Sequence, residues 1–406
     1  MNIQTLLYSP GAYKIWFALF FTGMGLVIPQ IGLFVPGSLQ IPDPGKIYLF
    51  GQVAMPIGAF IAGYISDKTM HIRYIALSWT IMAGISLVCL SYLPWGVFME
   101  PSGIKLGAAI FWSSFMFFMG GIIPLINISY LQNGHSVELF GRVRLYGTLG
   151  FAIPNGILSF APNLGSGEAI RWAGIFMIAS VIFLFLIPRG REGGEQVARI
   201  TLKKTWALLS TPLFIFFLFI TMMFYFSFST AEYVISPFIF KKVQNLGLVD
   251  IIRPQYFVWF LGTLVEIGFF FISPFLIRRF GPLFLIAAGL VAGCLRYLLS
   301  AYFENDLASV FTQGLHGIQF AGCYLGALLY LQQKTNPRRL ATSQALYTTF
   351  GRAIGTGGGS FFLGNLAAVG AYALAFHISA LVSFFGLILL FFFSRYEKRF
   401  SHFTKD

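Results

Sequence analysis

Twelve apolar stretches, each about long enough to cross a bilayer, follow one another from Tyr13 to Phe393. A helical span needs about 20 mostly apolar residues, because inside lipid every backbone polar group must be satisfied within its own segment. The stretches cover residues 13–35, 47–66, 73–93, 105–131, 142–163, 168–188, 211–237, 254–275, 282–303, 307–332, 341–366 and 369–393. Only 10% of the chain is charged, against roughly a quarter in a soluble domain. Little polar surface is left for a separate soluble domain. The expected fold class is therefore an all-α integral membrane protein. The first stretch lacks a basic leader and a small-residue cleavage site, so it is expected to stay as a helix.

Lysine and arginine in the loops set the orientation. With the N-terminus in the cytoplasm, 18 basic residues fall on that side and 5 on the other. Both termini are expected to be cytoplasmic. This spread accounts for most of the net charge of +13 and forms no single basic patch, which excludes nucleic acid as a partner. Cys89, Cys294 and Cys323 all sit inside apolar stretches, with no Cys/His cluster for a metal. No nucleotide-binding loop occurs. No cofactor is expected, and nothing in the chain requires more than a monomer embedded in membrane lipid.

The chain has two halves. Six stretches in residues 1–187 precede a charged segment, 188–206, expected as a cytoplasmic linker. Six more fill 207–396, and 397–406 form a cytoplasmic tail. Two six-helix bundles with a site near the midplane follow from this arrangement. Gly63-Tyr-Ile-Ser-Asp67-Lys68-Thr-Met-His71-Ile-Arg73 follows the second stretch. It resembles the gating loop of the major facilitator superfamily, with Met70 and His71 as departures. Gly63 would there allow a close helix approach, Asp67 would cap or pair with a helix end, and Lys68 and Arg73 would supply cytoplasmic charge. The matching loop of the second half, from Pro274 to Gly281, keeps Arg278 and Arg279 but no aspartate. Phe140-Gly141-Arg142-Val-Arg144-Leu-Tyr146-Gly147 is similar to the fifth-helix entry of lactose permease, the nucleoside–proton symporters and the phenylpropionate permeases. Pro124-Leu-Ile-Asn127-Ile-Ser129 is most like the nucleoside symporters. Leu315-His316-Gly317 with Phe320, and Ser343-Gln344-Ala-Leu-Tyr347, are most like the phenylpropionate permeases. Arg296 matches an intramembrane arginine shared by the cluster. The resemblance spans essentially the whole chain and implies a transporter, not an enzyme. The fourth stretch has no sugar-binding carboxylate, which speaks against a disaccharide.

A charge at the bilayer centre costs about 2.5–3.5 kcal/mol on insertion scales, so ionisable residues within spans mark sites. Two acids qualify, Glu232 and Glu266. A desolvated carboxylate can alternate between charged and neutral forms, which makes Glu266 first choice for proton coupling, with Glu232 and His316 behind it. Arg296 suits an anionic substrate or an ion pair with Glu266. Arg144 either snorkels to the cytoplasmic face or reaches the cavity. Arg352 is expected in the cytoplasmic half. Asn127, Gln319 and Gln344 offer neutral hydrogen bonds, and Tyr347 an aromatic hydroxyl, to a substrate. Gly351, Gly355 and Gly359 recur every four residues and should form a smooth packing face. The expectation is proton-coupled uptake of a small organic solute, with an aromatic carboxylic acid first, a nucleoside second, and export of drugs or lipids as a further alternative.

Overall fold

A computed structural model describes residues 11–69, 71–93, 100–132, 137–161, 164–187, 210–248, 251–303, 305–335, 343–344 and 346–399. The segment 188–206 expected as a linker lies outside them, as do tail residues 400–406. Every regular element among the described residues is helical. The chain divides into two compact units, one of Met1–Val197 with Asp250–Phe260, the other of Ala198–Val249 with Leu261–Asp406.

The first unit holds α1 (Gly11–Leu33), which runs into a π-helical turn (Phe34–Ser38), then α2 (Pro44–Thr69), α3 (Ile72–Tyr92), α4 (Pro101–Gln132), α5 (Val137–Phe160) and α6 (Ser166–Phe185). Helix α2 packs along α4, α1 along α5 and α6, and α3 along α4 and α6. Lipid tails are as apolar as leucine, so such contacts depend on close approach of backbones at small residues. A side chain at Gly58 of α2 would overlap the carbonyl of Phe117 of α4. Gly63, expected to serve such a crossing, faces open space instead, while its neighbour Ala62 meets Gly121 of α4. The side chains of Asp67 and Lys68 lie outside the described residues. The Arg73 guanidinium donates to the carbonyl of Ile187 at 3.1 Å and so caps the chain leaving α6.

The second unit holds α7 (Pro212–Tyr233), α8 (Ile235–Asn245), α9 (Pro254–Phe280) from Leu261 onward, α10 (Pro282–Tyr302), α11 (Asp306–Phe311), a 3-10 turn (Thr312–Gly314), α12 (Leu315–Lys334), a π-helix (Tyr347–Ile354), α13 (Gly355–Ala368) and α14 (Tyr372–Arg399). Helix α10 packs on α12 and α14, and α7 on α13 and α14. Phe269, Leu285 and Ala321 form a small core where α9, α10 and α12 meet. The α9–α10 turn needs a positive φ, which Gly281 supplies at 80°.

Three long apolar stretches differ from simple spans. The seventh breaks after Tyr233, because Pro237 has no N–H and its ring would clash with the carbonyl four residues back. The tenth begins as α11 and tightens into the 3-10 turn. The eleventh carries the π-helix. Among the described residues nine helices are long and apolar enough to cross a membrane. Helix α5 fills the fifth stretch but opens with Glu138, Arg142 and Arg144.

Asp43, in the α1–α2 connection, pairs with Lys105 at 2.5 Å and Lys46 at 3.3 Å. The Lys105 hydrogen bond holds its carboxyl below the usual carboxylate range. A lowered native pKa stabilises the fold above the unfolded value of about 4, and the contribution is lost as pH falls through the native value. The pair is largely solvated, so Asp43→Asn should cost under about 1 kcal/mol at pH 7 and progressively less as pH falls below about 4, read by thermal unfolding in detergent. Gly58→Leu should cost at least about 1–3 kcal/mol through overpacking against α4. An unchanged melting temperature would contradict that crossing.

Candidate functional site

The polar residues of the second unit gather around one buried guanidinium. Arg296 stands on α10 and is only 2% exposed. Its Nε donates to Gln313 Oε1 at 2.8 Å and its Nη1 to Gln319 Oε1 at 3.2 Å. Nη1 also lies 3.2 Å from Nδ1 of His316. A guanidinium only donates, so Nδ1 accepts and the imidazole proton sits on Nε2. The Tyr297 hydroxyl and the Gln319 amide exchange contacts at 3.3 Å. Gln313 in turn donates to Ser300 Oγ at 3.0 Å and to the Ser309 carbonyl at 3.2 Å. These hydrogen-bond partners of Arg296 are neutral side chains. Neutral acceptors at fixed positions on the 3-10 turn and α12 already occupy the Nε and Nη1 donors.

The local backbone explains this placement. The 3-10 turn brings Gln313 and His316 to the same side of the chain, one turn apart, facing α10. Gln319 continues that face one turn further along α12. Hydropathy alone does not single out Gln313. Its signal is the polar set Ser309, Thr312 and Gln313 at helical spacing inside an apolar stretch.

Glu266 of α9 approaches the same cluster from another side. A side chain at Gly317 would overlap the Glu266 backbone N–H, and one at Gly262 would come within 2.9 Å of Cδ2 of His316. The two glycines therefore let α9 and α12 touch beside His316, with Glu266 9% exposed. Glu232, near the C-terminal end of α7, is 8% exposed. It shares a hydrogen bond with Tyr233 and is attracted by Arg352.

Aromatic rings extend the site along α12. His316, Phe320 and Tyr324 lie one turn apart with near-parallel rings, at 6.3 and 5.3 Å between centroids. Phe228 of α7 leans on the first two, at 5.2 and 5.4 Å. Tyr225 of α7 and Tyr347 of the π-helix share a hydroxyl contact of 2.9 Å. Gln344 is half-buried just before that helix. Gly351, Gly355 and Gly359 face α7, against Thr221, Met222 and Ser229 respectively. Gly351 lies in π-helical rather than α-helical backbone, so the three do not form one regular α-helical stripe. Tyr330 is taken up in packing, stacked on Phe217 at 5.0 Å.

In the first unit Arg144 lies over the rings of Phe21 and Phe17 of α1, at 4.2 and 5.3 Å. Asn127 of α4 is half-buried, and its Oδ1 meets no donor among the described residues. Tyr13 and Ser129 share a hydrogen bond of 3.0 Å between α1 and α4. Trp259 packs on Phe151. No cluster able to hold a metal ion occurs among the described residues.

With the fold and these groups in view, similarity to known proteins decides the kind of molecule. Residues 11–378 match the MFS_1 like family. The chain belongs to that family. It is a multi-pass membrane transporter of the major facilitator class and not an enzyme. A xanthosine permease of Escherichia coli (strain K12) is 24% identical over 342 residues, covering 79% of this chain and 78% of that one. Among solved structures, a mutant form of the nucleoside transporter NupG aligns with a TM-score of 0.77 at 19% identity, over 97% of this chain and 99% of that one. The POT family transporter PepTSo aligns at 0.70, with 12% identity over 98% and 99%. The human organic anion transporter MFSD10 aligns at 0.64, with 13% identity over 94% and 99%.

Gln313→Leu should leave Arg296 Nε without its acceptor while filling similar volume. An unsatisfied buried donor costs about 1–3 kcal/mol, so the detergent-solubilised variant should melt several degrees lower. A melting temperature equal to wild type would mean that Gln313 does not support Arg296.

Proposed function

We propose that this transporter takes up a nucleoside together with a proton, by alternating access and as a monomer with both termini in the cytoplasm. The observation that carries the reading is the pairing of a buried carboxylate, Glu266, with a polar and aromatic face on the same unit. That face, built by His316, Phe320 and Tyr324, suits a flat heterocycle, since ring stacking is tolerant of base identity. The full-length likeness to a xanthosine permease supports the same class, and supports it better than the aromatic carboxylic acid that the loop motifs favour. The two substrate expectations share chemistry. A purine-dione nucleoside is a planar ring with an acidic N–H, so it is partly anionic near neutral pH and complements the cations of the site.

In the proposed cycle Glu266 takes a proton when the site faces outward and loses it when the site faces the cytoplasm. Neutralising a buried carboxylate removes a desolvation penalty that otherwise opposes closure. Gln344 and Tyr347 contribute substrate contacts in this reading, and Arg296, Gln313 and Gln319 position His316.

Uptake of labelled xanthosine into proteoliposomes, with and without an inward proton gradient, tests the reading. Wild type should accumulate substrate and lose accumulation with a protonophore. Glu266→Gln should keep substrate exchange between equal concentrations but lose gradient-driven accumulation by roughly tenfold or more, the loss of a coupling group rather than of a binding contact. Undiminished accumulation by the variant would remove Glu266 from the coupling step.

A further inference from the structure

Arg296 is the intramembrane arginine that sequence singles out, yet two of its three donor nitrogens already serve Gln313, His316 and Gln319, and it is buried. Arg352 presents the opposite picture. Its neighbours Gly351 and Gly355 lie against Thr221, Met222 and Tyr225, which is the middle of α7. Arg352 therefore lies level with the middle of α7. It is only half-buried, and its guanidinium makes no hydrogen bond to any described residue. Electrostatically it faces the Tyr225 hydroxyl and the Glu232 carboxylate.

The backbone around it is unusual. Tyr347–Ile354 is π-helical, and π-helical segments are rare and frequent at functional sites. Bonding from i to i+5 puts residue 352 one π-helical turn beyond residue 347, and Arg352 acts electrostatically on Tyr225, whose hydroxyl pairs with that of Tyr347. The Tyr324 hydroxyl, at the end of the α12 aromatic ladder, acts electrostatically on both tyrosines. One face of the second unit thus offers a planar cation with five N–H groups beside three tyrosine hydroxyls and a ring ladder. A guanidinium fork fits a carbonyl or deprotonated N–C=O edge with two parallel bonds, which an ammonium does not reproduce.

We infer that Arg352, rather than Arg296, reads the oxo edge of the substrate's base and makes the site selective for dione over amino nucleosides. This rests on the nucleoside reading above.

The test compares wild type, Arg352→Gln and Arg352→Lys in proteoliposomes, measuring KM and maximal rate for xanthosine and adenosine. Losing one bidentate base contact is worth roughly ten- to a hundredfold. Arg352→Gln should raise KM for xanthosine by that factor and leave adenosine little changed. Arg352→Lys keeps the charge and should lose part of the preference, which decides the matter if the glutamine variant does not fold. Equal effects on both substrates, or none on xanthosine, would overturn the assignment while leaving nucleoside uptake in place. Uptake of neither nucleoside by wild type would sink the nucleoside reading and the assignment with it.

Discussion

The second unit depends on keeping one permanent cation in a lipid-embedded bundle among neutral hydrogen-bond partners. A buried charge left unpartnered is far more costly than a buried hydrogen bond is favourable. Arg296 meets this constraint through acceptors on two neighbouring segments, Gln313 at 2.8 Å and Gln319 and His316 at 3.2 Å. Two of these acceptors are themselves fixed by other polar groups, Gln313 by Ser300 and Ser309, Gln319 by Tyr297. The network ties α10, the 3-10 turn and α12 into one body. It also settles the histidine tautomer, since Nδ1 is occupied as an acceptor.

Arg296 is held by neutral acceptors, and Glu266, to which the proposal gives the coupling role, lies beside the same cluster. The small residues Gly262 and Gly317 place its backbone against α12, the segment that carries the aromatic ladder.

Much of the fold is legible in the sequence because hydropathy and length in a membrane leave few alternatives to helices. Arg296, Glu266 and His316 stand out for the same reason, each being a polar exception in an apolar stretch. What is not legible depends on partners distant in sequence. Pro237 signals a break, but the long seventh stretch masks it. The 3-10 turn before His316 is stabilised by Gln313 and Thr312 reaching back to Ser309, which periodicity does not reveal. The π-helix places Arg352 by tertiary packing of Gly351 and Gly355 on α7, which counting residues along an ideal helix does not reveal. Gly63 matches a family motif, yet the crossing between α2 and α4 is made at Gly58.

The neutral shell around Arg296 has a consequence for biogenesis. Its acceptors lie 17 to 23 residues later in the chain, so α10 on its own carries none of them. An arginine at the centre of a lone helix carries an insertion penalty of about 2.5–3.5 kcal/mol. Helices α10 and α12 therefore enter the bilayer with least penalty as a pre-paired hairpin, delivered together with the turn that joins them. The residues that organise the mature site thereby also set the order in which the second unit is assembled.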